Sequence, residues 1–285
     1  MYFLYSFGSF LAGLLPKKIA YLIAKGIVGI YFLFAKKDKE NLRYNLRIVL
    51  GEKIEKKRLE RHVWLVFKNF AKYLVDFFKF PRFSVEYIKK NIMIEGREHL
   101  DKALSKGKGV VLVSLHLGNW ELGGAIIGAF HYPVGAIALE HPNKKVNDFF
   151  NSRRALNNIQ VFHVGAGIKE CIRSLKKNRI LGIIGDKDYL GTGIPMDFFG
   201  KKAFIPRGPA AISLKTGAPL MVMVTTREKG DRFLVRFEPP VRFEAGEDTR
   251  KDVKKMMSKY LRIFEKYIRR YPDQWYVFGE VWARE

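Results

Sequence analysis

The sequence predicts an α/β protein: a largely parallel central sheet with helices on both faces, preceded by N-terminal membrane-associating helices. Three observations lead there. From about residue 91 onward, short Val- and Ile-rich runs alternate with helical segments, the pattern of strand, crossover helix and parallel strand. The first 35 residues are almost wholly apolar, broken only around Pro16-Lys17-Lys18 and at Lys25. No internal repeat, low-complexity tract or Gly/Ser linker divides the 285 residues, so the N-terminal helices are expected to dock on the body.

Taken in order, residues 1–39 read as apolar N-terminal anchoring helices and 40–285 as one domain, with amphipathic helices over 40–90 and the α/β body over 91–285. A helical span takes about 20 apolar residues, so either stretch alone is marginal, and a shallow anchor or helical hairpin fits better. The start Met1-Tyr2-Phe3 lacks the basic region of a secretory signal, and no small-residue cleavage site follows. Lys17, Lys18, Lys36, Lys37 and Lys39 flank these stretches and point to the cytoplasmic face of the inner (plasma) membrane. The other reading is a pair of buried core helices. Phe67, Phe70, Tyr73, Leu74, Phe77 and Phe78 then recur at helical spacing, an aromatic stripe on an amphipathic helix.

In the body, Ile92–Ile94, Val110–Leu115, Val134–Leu139, Ile159–His163, Ile180–Ile184 and Leu220–Thr225 are the expected strands. Phe233–Phe237 and Val241–Phe243, separated by Pro239-Pro240, read as edge strands, because proline is excluded from sheet interiors. A charged helix from about Glu247 to Arg270 closes the chain.

The charge balance narrows the partners. Lys plus Arg total 52 against 28 Asp plus Glu, a formal net charge of +24. Such an excess calls for an anionic partner surface, and its interleaving with long apolar stretches suits a lipid interface better than a nucleic-acid groove. Part of the charge also fits the solvated surface of a thermophilic protein. The single cysteine, Cys171, excludes an intramolecular disulfide and a cysteine metal cluster, and its helical apolar spacing reads as core.

The chemistry concentrates in His116-Leu117-Gly118-Asn119-Trp120-Glu121. His116 would leave the C-terminal end of a buried strand, Gly118 would turn the chain, and Asn119 would cap a helix whose first turn carries Glu121. In an open α/β sheet the crevice beyond the strand ends is where ligands bind. A neutral histidine beside a carboxylate can deprotonate a hydroxyl. Asp186 falls at another strand end in the same crevice and also reads as a loop turn former. Lys187 and Arg207 are candidate phosphate contacts and equally candidate surface charges. Backbone amides near Gly118 or Gly208 are candidates for stabilising an oxyanion. No Gly-x-Ser-x-Gly elbow and no His-Glu-x-x-His pair occurs, so neither a covalent serine mechanism nor a metal site is expected.

This hexapeptide resembles the His-x-x-x-x-Asp/Glu signature of the glycerolipid acyltransferase superfamily, in particular its branch of lipid A late acyltransferases and related phosphatidylinositol mannoside acyltransferases. The resemblance runs on through Asn41-Leu42-Arg43 and Asn45-Leu46-Arg47, Asn151-Ser152-Arg153-Arg154, Gly185-Asp186-Lys187-Asp188-Tyr189, Phe198-Phe199-Gly200, Gly208-Pro209-Ala210, Lys215-Thr216-Gly217-Ala218-Pro219 and Tyr271-Pro272-Asp273-Gln274-Trp275. The chain departs from that pattern at Lys187, where the branch usually has Gln or His, and at Phe278-Gly279-Glu280, which replaces a basic His-Arg-Arg.

The resemblance implies an acyltransferase in which His116 activates an acceptor hydroxyl and Glu121 orients it. It implies Asn119, Arg153 or Arg154, Asp186, Lys187 and Arg207 as substrate contacts. It further implies an acyl carrier protein or coenzyme A thioester as donor, no cofactor, and no covalent acyl-enzyme. The implied acceptor is an anionic glycolipid or phospholipid, foremost a lipid A precursor, with a phosphatidylinositol mannoside or lysophospholipid as alternative. A non-catalytic basic protein binding membrane or nucleic acid is the more distant reading.

Overall fold

The computed structural model describes residues 2–79, 85–163, 167–244, 246 and 248–283. Each expected parallel strand of the body forms where branched apolar residues crowd together: β1 (Ile92–Glu95), β2 (Val110–Ser114), β3 (Val134–Ala138), β4 (Ile159–His163), β5 (Ile180–Ile184) and, beyond a hairpin, β8 (Leu220–Arg227) and β9 (Phe233–Phe237). They assemble in the order β1-β9-β8-β2-β5-β3-β4. All pairings are parallel except β8 with β9.

Burial on both sides explains the near-continuous apolar runs. In β2 all five residues are buried. Val111 and Val113 face one core with Cys171 and Leu175 of α9 (Ile168–Lys176), Ala210 and Ile212 of α10 (Gly208–Thr216), and Met257, Leu261 and Phe264 of α11 (Thr249–Arg270). Val110 and Leu112 face the other core with Leu100 of α6 (Arg97–Leu104) and Leu122 and Ile126 of α7 (Trp120–Ala129). Cys171 is buried within the first core, and burial raises its thiol pKa to about 11. The helix expected from about Glu247 starts at Thr249, with the Asp248 carboxylate capping two backbone amides; Glu247 lies outside the described residues.

Two expectations about strands are corrected. Phe233–Phe237 is not an edge strand but lies between β1 and β8, and residues 241–243 form no strand. The prolines end β9 instead of lining an edge, and Val241 adds only a hydrogen bond from its amide to the Leu220 carbonyl, 2.8 Å. A hairpin absent from the sequence reading, β6 (Ile194–Phe198) and β7 (Lys201–Ile205), closes through Phe199 and Gly200, both at positive φ. Its two-residue turn has the mirror-image geometry that antiparallel strands favour, but Phe-Gly is a poor advertisement for it, and Pro195 and Asp197 disguise the first strand.

The N-terminal helices are α1 (Tyr2–Leu14), α2 (Lys17–Phe34), α3 (Lys36–Leu50) and α4 (Lys56–Lys79); α5 (Val85–Asn91) leads into β1. They dock on the body as expected. Leu42, Leu46, Val63, Val66 and Phe67 pack with Tyr276 from the C-terminal segment. A buried polar joint adds to this: Asp76 on α4, with no solvent exposure, accepts from Tyr21 of α2 at 2.6 Å and binds the guanidinium of Arg227 at the end of β8. Among the described residues no single helix is long and apolar enough to cross a membrane, and α2 and α3 meet at a 93° bend. The notion of a spanning anchor therefore gains nothing from the fold. The apolar surface is nonetheless concentrated here: of the eighteen exposed large hydrophobic side chains described, eleven lie between Phe7 and Phe34.

Candidate active site

His116 stands two residues past the end of β2, in a turn that only a particular backbone can make. Leu117 donates its amide to the Leu115 carbonyl at 2.7 Å, and Gly118 follows at φ +65°. A Cβ on Gly118 would sit 1.8 Å from the Thr225 carbonyl oxygen, so glycine is required both by conformation and by contact. The turn is pinned from outside: Gly118 donates to the Gln274 carbonyl at 2.8 Å, Asn119 to that of Thr225 at 2.9 Å, and Tyr276 donates to the His116 carbonyl at 2.8 Å.

The carboxylate bonded to His116 is Asp186, not Glu121. Asp186 follows β5, the neighbour of β2, and both strands end at the same crevice. Its Oδ1 lies 2.7 Å from His116 Nδ1, while Oδ2 accepts from the His116 amide at 3.0 Å and from the Trp275 indole at 2.9 Å. Burial pushes the Asp186 pKa up most strongly, but the charge of His116 and these hydrogen bonds outweigh it and hold the carboxyl below its ordinary value. An ionised carboxylate only accepts, so Nδ1 carries the proton and Nε2 is left as the basic nitrogen. The ring stands edge-on to Trp120 and Tyr189, with centroids 5.0 and 5.6 Å away.

The expected orientation of His116 by Glu121 is therefore corrected. Glu121, in the first turn of α7, reaches across the crevice to Arg154 on α8 (Lys144–Leu156), which donates from Nη2 to Oε1 at 2.5 Å and from Nε to Oε2 at 3.1 Å. Desolvation alone would lower the Arg154 pKa, but the Glu121 carboxylate raises it overall. Successive helical residues point about 100° apart, and here that separates the two arginines. Arg154 lines the crevice, whereas Arg153 reaches the Ser9 hydroxyl at 2.5 Å and the Phe78 carbonyl at 3.3 Å, tying α8 to α1 and α4.

Asn119 is a cap and not a substrate contact: its side chain accepts from the Leu122 amide at 3.0 Å and it is fully buried. Lys187 and Arg207 both line the crevice. Lys187 places its ammonium 5.0 Å from the centre of the Tyr189 ring, and burial lowers its pKa against the opposing pull of Asp186 and Glu280. Trp275 and Gln274 were legible only as part of a motif; their contacts show the first holding Asp186 and the second holding the turn. Among the described residues no group of three or more His, Cys, Asp or Glu side chains is placed to hold a metal.

The crevice opens into a cavity of about 750 Å³, within the range of small-molecule sites. His116, Lys187, Asp188, Arg207 and the Glu121–Arg154 pair are among its polar and charged groups, and its remaining walls are chiefly Ile, Leu, Val, Ala and Gly from β2, β3, β5 and α7. A basic imidazole, nearby cations and an apolar depth suit a reaction between a hydroxyl and a substrate with a long hydrocarbon part.

The chain is similar to known acyltransferases. Over 270 residues the chain is 25% identical to a phosphatidylinositol mannoside acyltransferase of Mycolicibacterium smegmatis, covering 92% of this chain and 86% of that protein. A Mycobacterium tuberculosis protein of the same name is 29% identical over 162 residues, 54% of this chain, and there the match spans only about half of the relative, 51%. A lipid A biosynthesis palmitoleoyltransferase of Escherichia coli is 23% identical over 244 residues, 85% of this chain and 78% of the relative. A model of the bacterial lipid A biosynthesis acyltransferases matches residues 1–284, so the chain belongs to that family.

Proposed function

We propose that this protein transfers a fatty acyl chain from an acyl carrier protein or coenzyme A thioester to a hydroxyl of an anionic glycolipid or phospholipid. The observation that carries the reading is the His116–Asp186 pair at the mouth of an apolar cavity, in a chain whose relatives are named acyltransferases. His116 Nε2 takes the acceptor's proton as its oxygen attacks the thioester carbonyl. The tetrahedral intermediate then collapses, the C–S bond breaks, and the imidazolium returns the proton to the leaving thiolate. Asp186 holds the tautomer and stabilises the imidazolium without itself taking up the proton.

Direct transfer fits the settings of Cys171 and Ser114. Cys171 is buried in the core with a raised pKa and does not line the cavity. Ser114 does line it, but its hydroxyl donates to the Met223 carbonyl at 2.8 Å. Of the two candidate oxyanion donors, Gly118 already gives its amide to Gln274, while Gly208 lies on the cavity wall at the N-terminus of α10. Lys187 and Arg207 suit an anionic headgroup or the phosphates of the donor.

The acceptor belongs to a class that includes a lipid A precursor and a phosphatidylinositol mannoside, matching the names of the relatives. The exposed apolar faces of α1 and α2, flanked by lysines, suit a helix pair lying in the headgroup region on the cytoplasmic face of the inner (plasma) membrane. The test is transfer from labelled acyl carrier protein or acyl-CoA to each acceptor in anionic liposomes. Transfer should fall at least about a hundredfold in His116→Ala, and equal transfer by both proteins would end the proposal.

A further inference from the structure

A glycine inside a central strand weakens that strand, having no side chain to pack and the most backbone freedom to lose, so its presence needs a cause. At most interior glycines of the body the cause is contact. A Cβ on Gly135 would lie 2.3 Å from the Phe162 ring, on Gly185 2.8 Å from Val113, and on Gly123 2.4 Å from the Thr225 hydroxyl. Gly182 differs. It is the middle residue of β5, between β2 and β3, its φ is not positive, and a Cβ there would meet nothing closer than the Gly135 carbonyl oxygen at 3.6 Å. Neither backbone nor packing requires glycine at this point.

What Gly182 does touch is the cavity, through which it stays partly accessible while Leu181 and Ile180 beside it are sealed. Strand register shows why this position matters. Leu112, Gly182 and Ala136 lie side by side across three strands, and the next row down is Val110, Ile180 and Val134. The lower row fills its space with branched side chains, whereas the row of Gly182 is hollow. Leu112 is four residues before His116, which at about 3.3 Å per extended residue puts this row at most about 13 Å along the backbone from the His116 turn. Across the cavity stand Ile127 and Gly124 of α7, and a Cβ on Gly124 would already approach Ile159 to 3.3 Å.

We infer that Gly182 sets the length of acyl chain the protein accepts, by leaving open the layer through which the end of a long, straight tail must pass. This rests on the acyl-transfer reading and adds to it a residue that selects the donor. A side chain at position 182 would shorten the cavity from below without obstructing its mouth.

The test compares wild type with Gly182→Ala, Gly182→Leu and, from the neighbouring strand in the same row, Ala136→Leu. Two readouts are taken: transfer from a series of acyl thioesters of increasing length, and displacement of a fluorescent fatty acid by straight-chain fatty acids of the same lengths. The ratio of short- to long-chain transfer, and of short- to long-chain binding, should rise at least about tenfold in Gly182→Leu, equivalent to about 1.4 kcal/mol. It should rise less in Gly182→Ala and in the same direction in Ala136→Leu. Unchanged ratios in folded variants overturn the inference. If the binding ratios shift while the wild type transfers no acyl group, the ruler stands and the acyl-transfer reading falls.

Discussion

Asp186 and Asp76 are both aspartates without solvent exposure, and both bind a nitrogen-bearing side chain, but they are embedded differently. The hydrogen-bond partners of Asp76, Tyr21 and Arg227, are themselves buried and join α2 and α4 to the end of β8, and its ion-pair partner Lys17, 3.6 Å away and partly exposed, stands outside the cavity. Asp186 is sealed on three sides by the Trp275 indole, the His116 amide and the core, but its fourth contact, the His116 ring, keeps 18% exposure and faces the cavity. The difference teaches how to tell a joint from a working group. A buried charge none of whose partners reaches the cavity holds the fold together, while one whose partner lines it can pass its influence to a substrate.

Three experiments bear on that contrast. The largest effect is expected from Asp186→Asn, which keeps the shape but offers His116 Nδ1 an amide; the ring then loses the tautomer that leaves Nε2 basic, and transfer should fall by about 10²–10⁴. Steady-state kinetics beside a thermal melt would check it, and a variant as active as wild type would place Asp186 with the joints. Asp76→Ala should do the reverse. It leaves Arg227 buried without its carboxylate, for which about 3–5 kcal/mol of destabilisation is expected, while the folded fraction keeps its turnover per active molecule. A denaturant titration with an active-site count separates the two, and an unchanged midpoint would contradict the comparison.

The smallest effect concerns acid. Because the folded pKa of Asp186 lies below the ordinary 3.8, the unfolded chain takes up a proton in that window that the native protein does not. The stability contributed by Asp186 is thus complete above about 3.8 and is lost as pH falls through the lower folded value. Stability measured by urea unfolding should decline less steeply across this range in Asp186→Asn than in wild type; parallel curves would show that the carboxylate gains nothing from its setting.

Much of the fold was legible because the strands of a parallel sheet buried on both faces carry near-continuous apolar runs, as in residues 110–113 and Ile180–Ile184. The β6–β7 hairpin escaped because one face is exposed and its turn uses Phe199, a residue that rarely takes positive φ. In the site, His116, Glu121, Arg154 and Asp186 were all named, but their pairing was not. Spacing along the chain favoured Glu121, five residues from His116; the actual partner lies 70 residues away, just beyond the end of the adjacent strand. Only strand order could reveal that, and strand order is set by packing far from the motif. Arg153 and Arg154 were indistinguishable for a similar reason, since which face of α8 meets the crevice depends on where α1 and α4 dock.

The clamp that Gln274, Trp275 and Tyr276 place on the His116 turn also governs when the protein becomes competent during its synthesis. A ribosome makes the histidine early and its clamp late, and chains fold progressively from the N-terminus. Until the segment around Gln274 has emerged, neither the Gly118 amide nor the outer oxygen of Asp186 has its C-terminal partner. His116 and Asp186 are therefore made well before the segment that fixes them, and the site is complete only once that late segment has folded back onto the His116 turn.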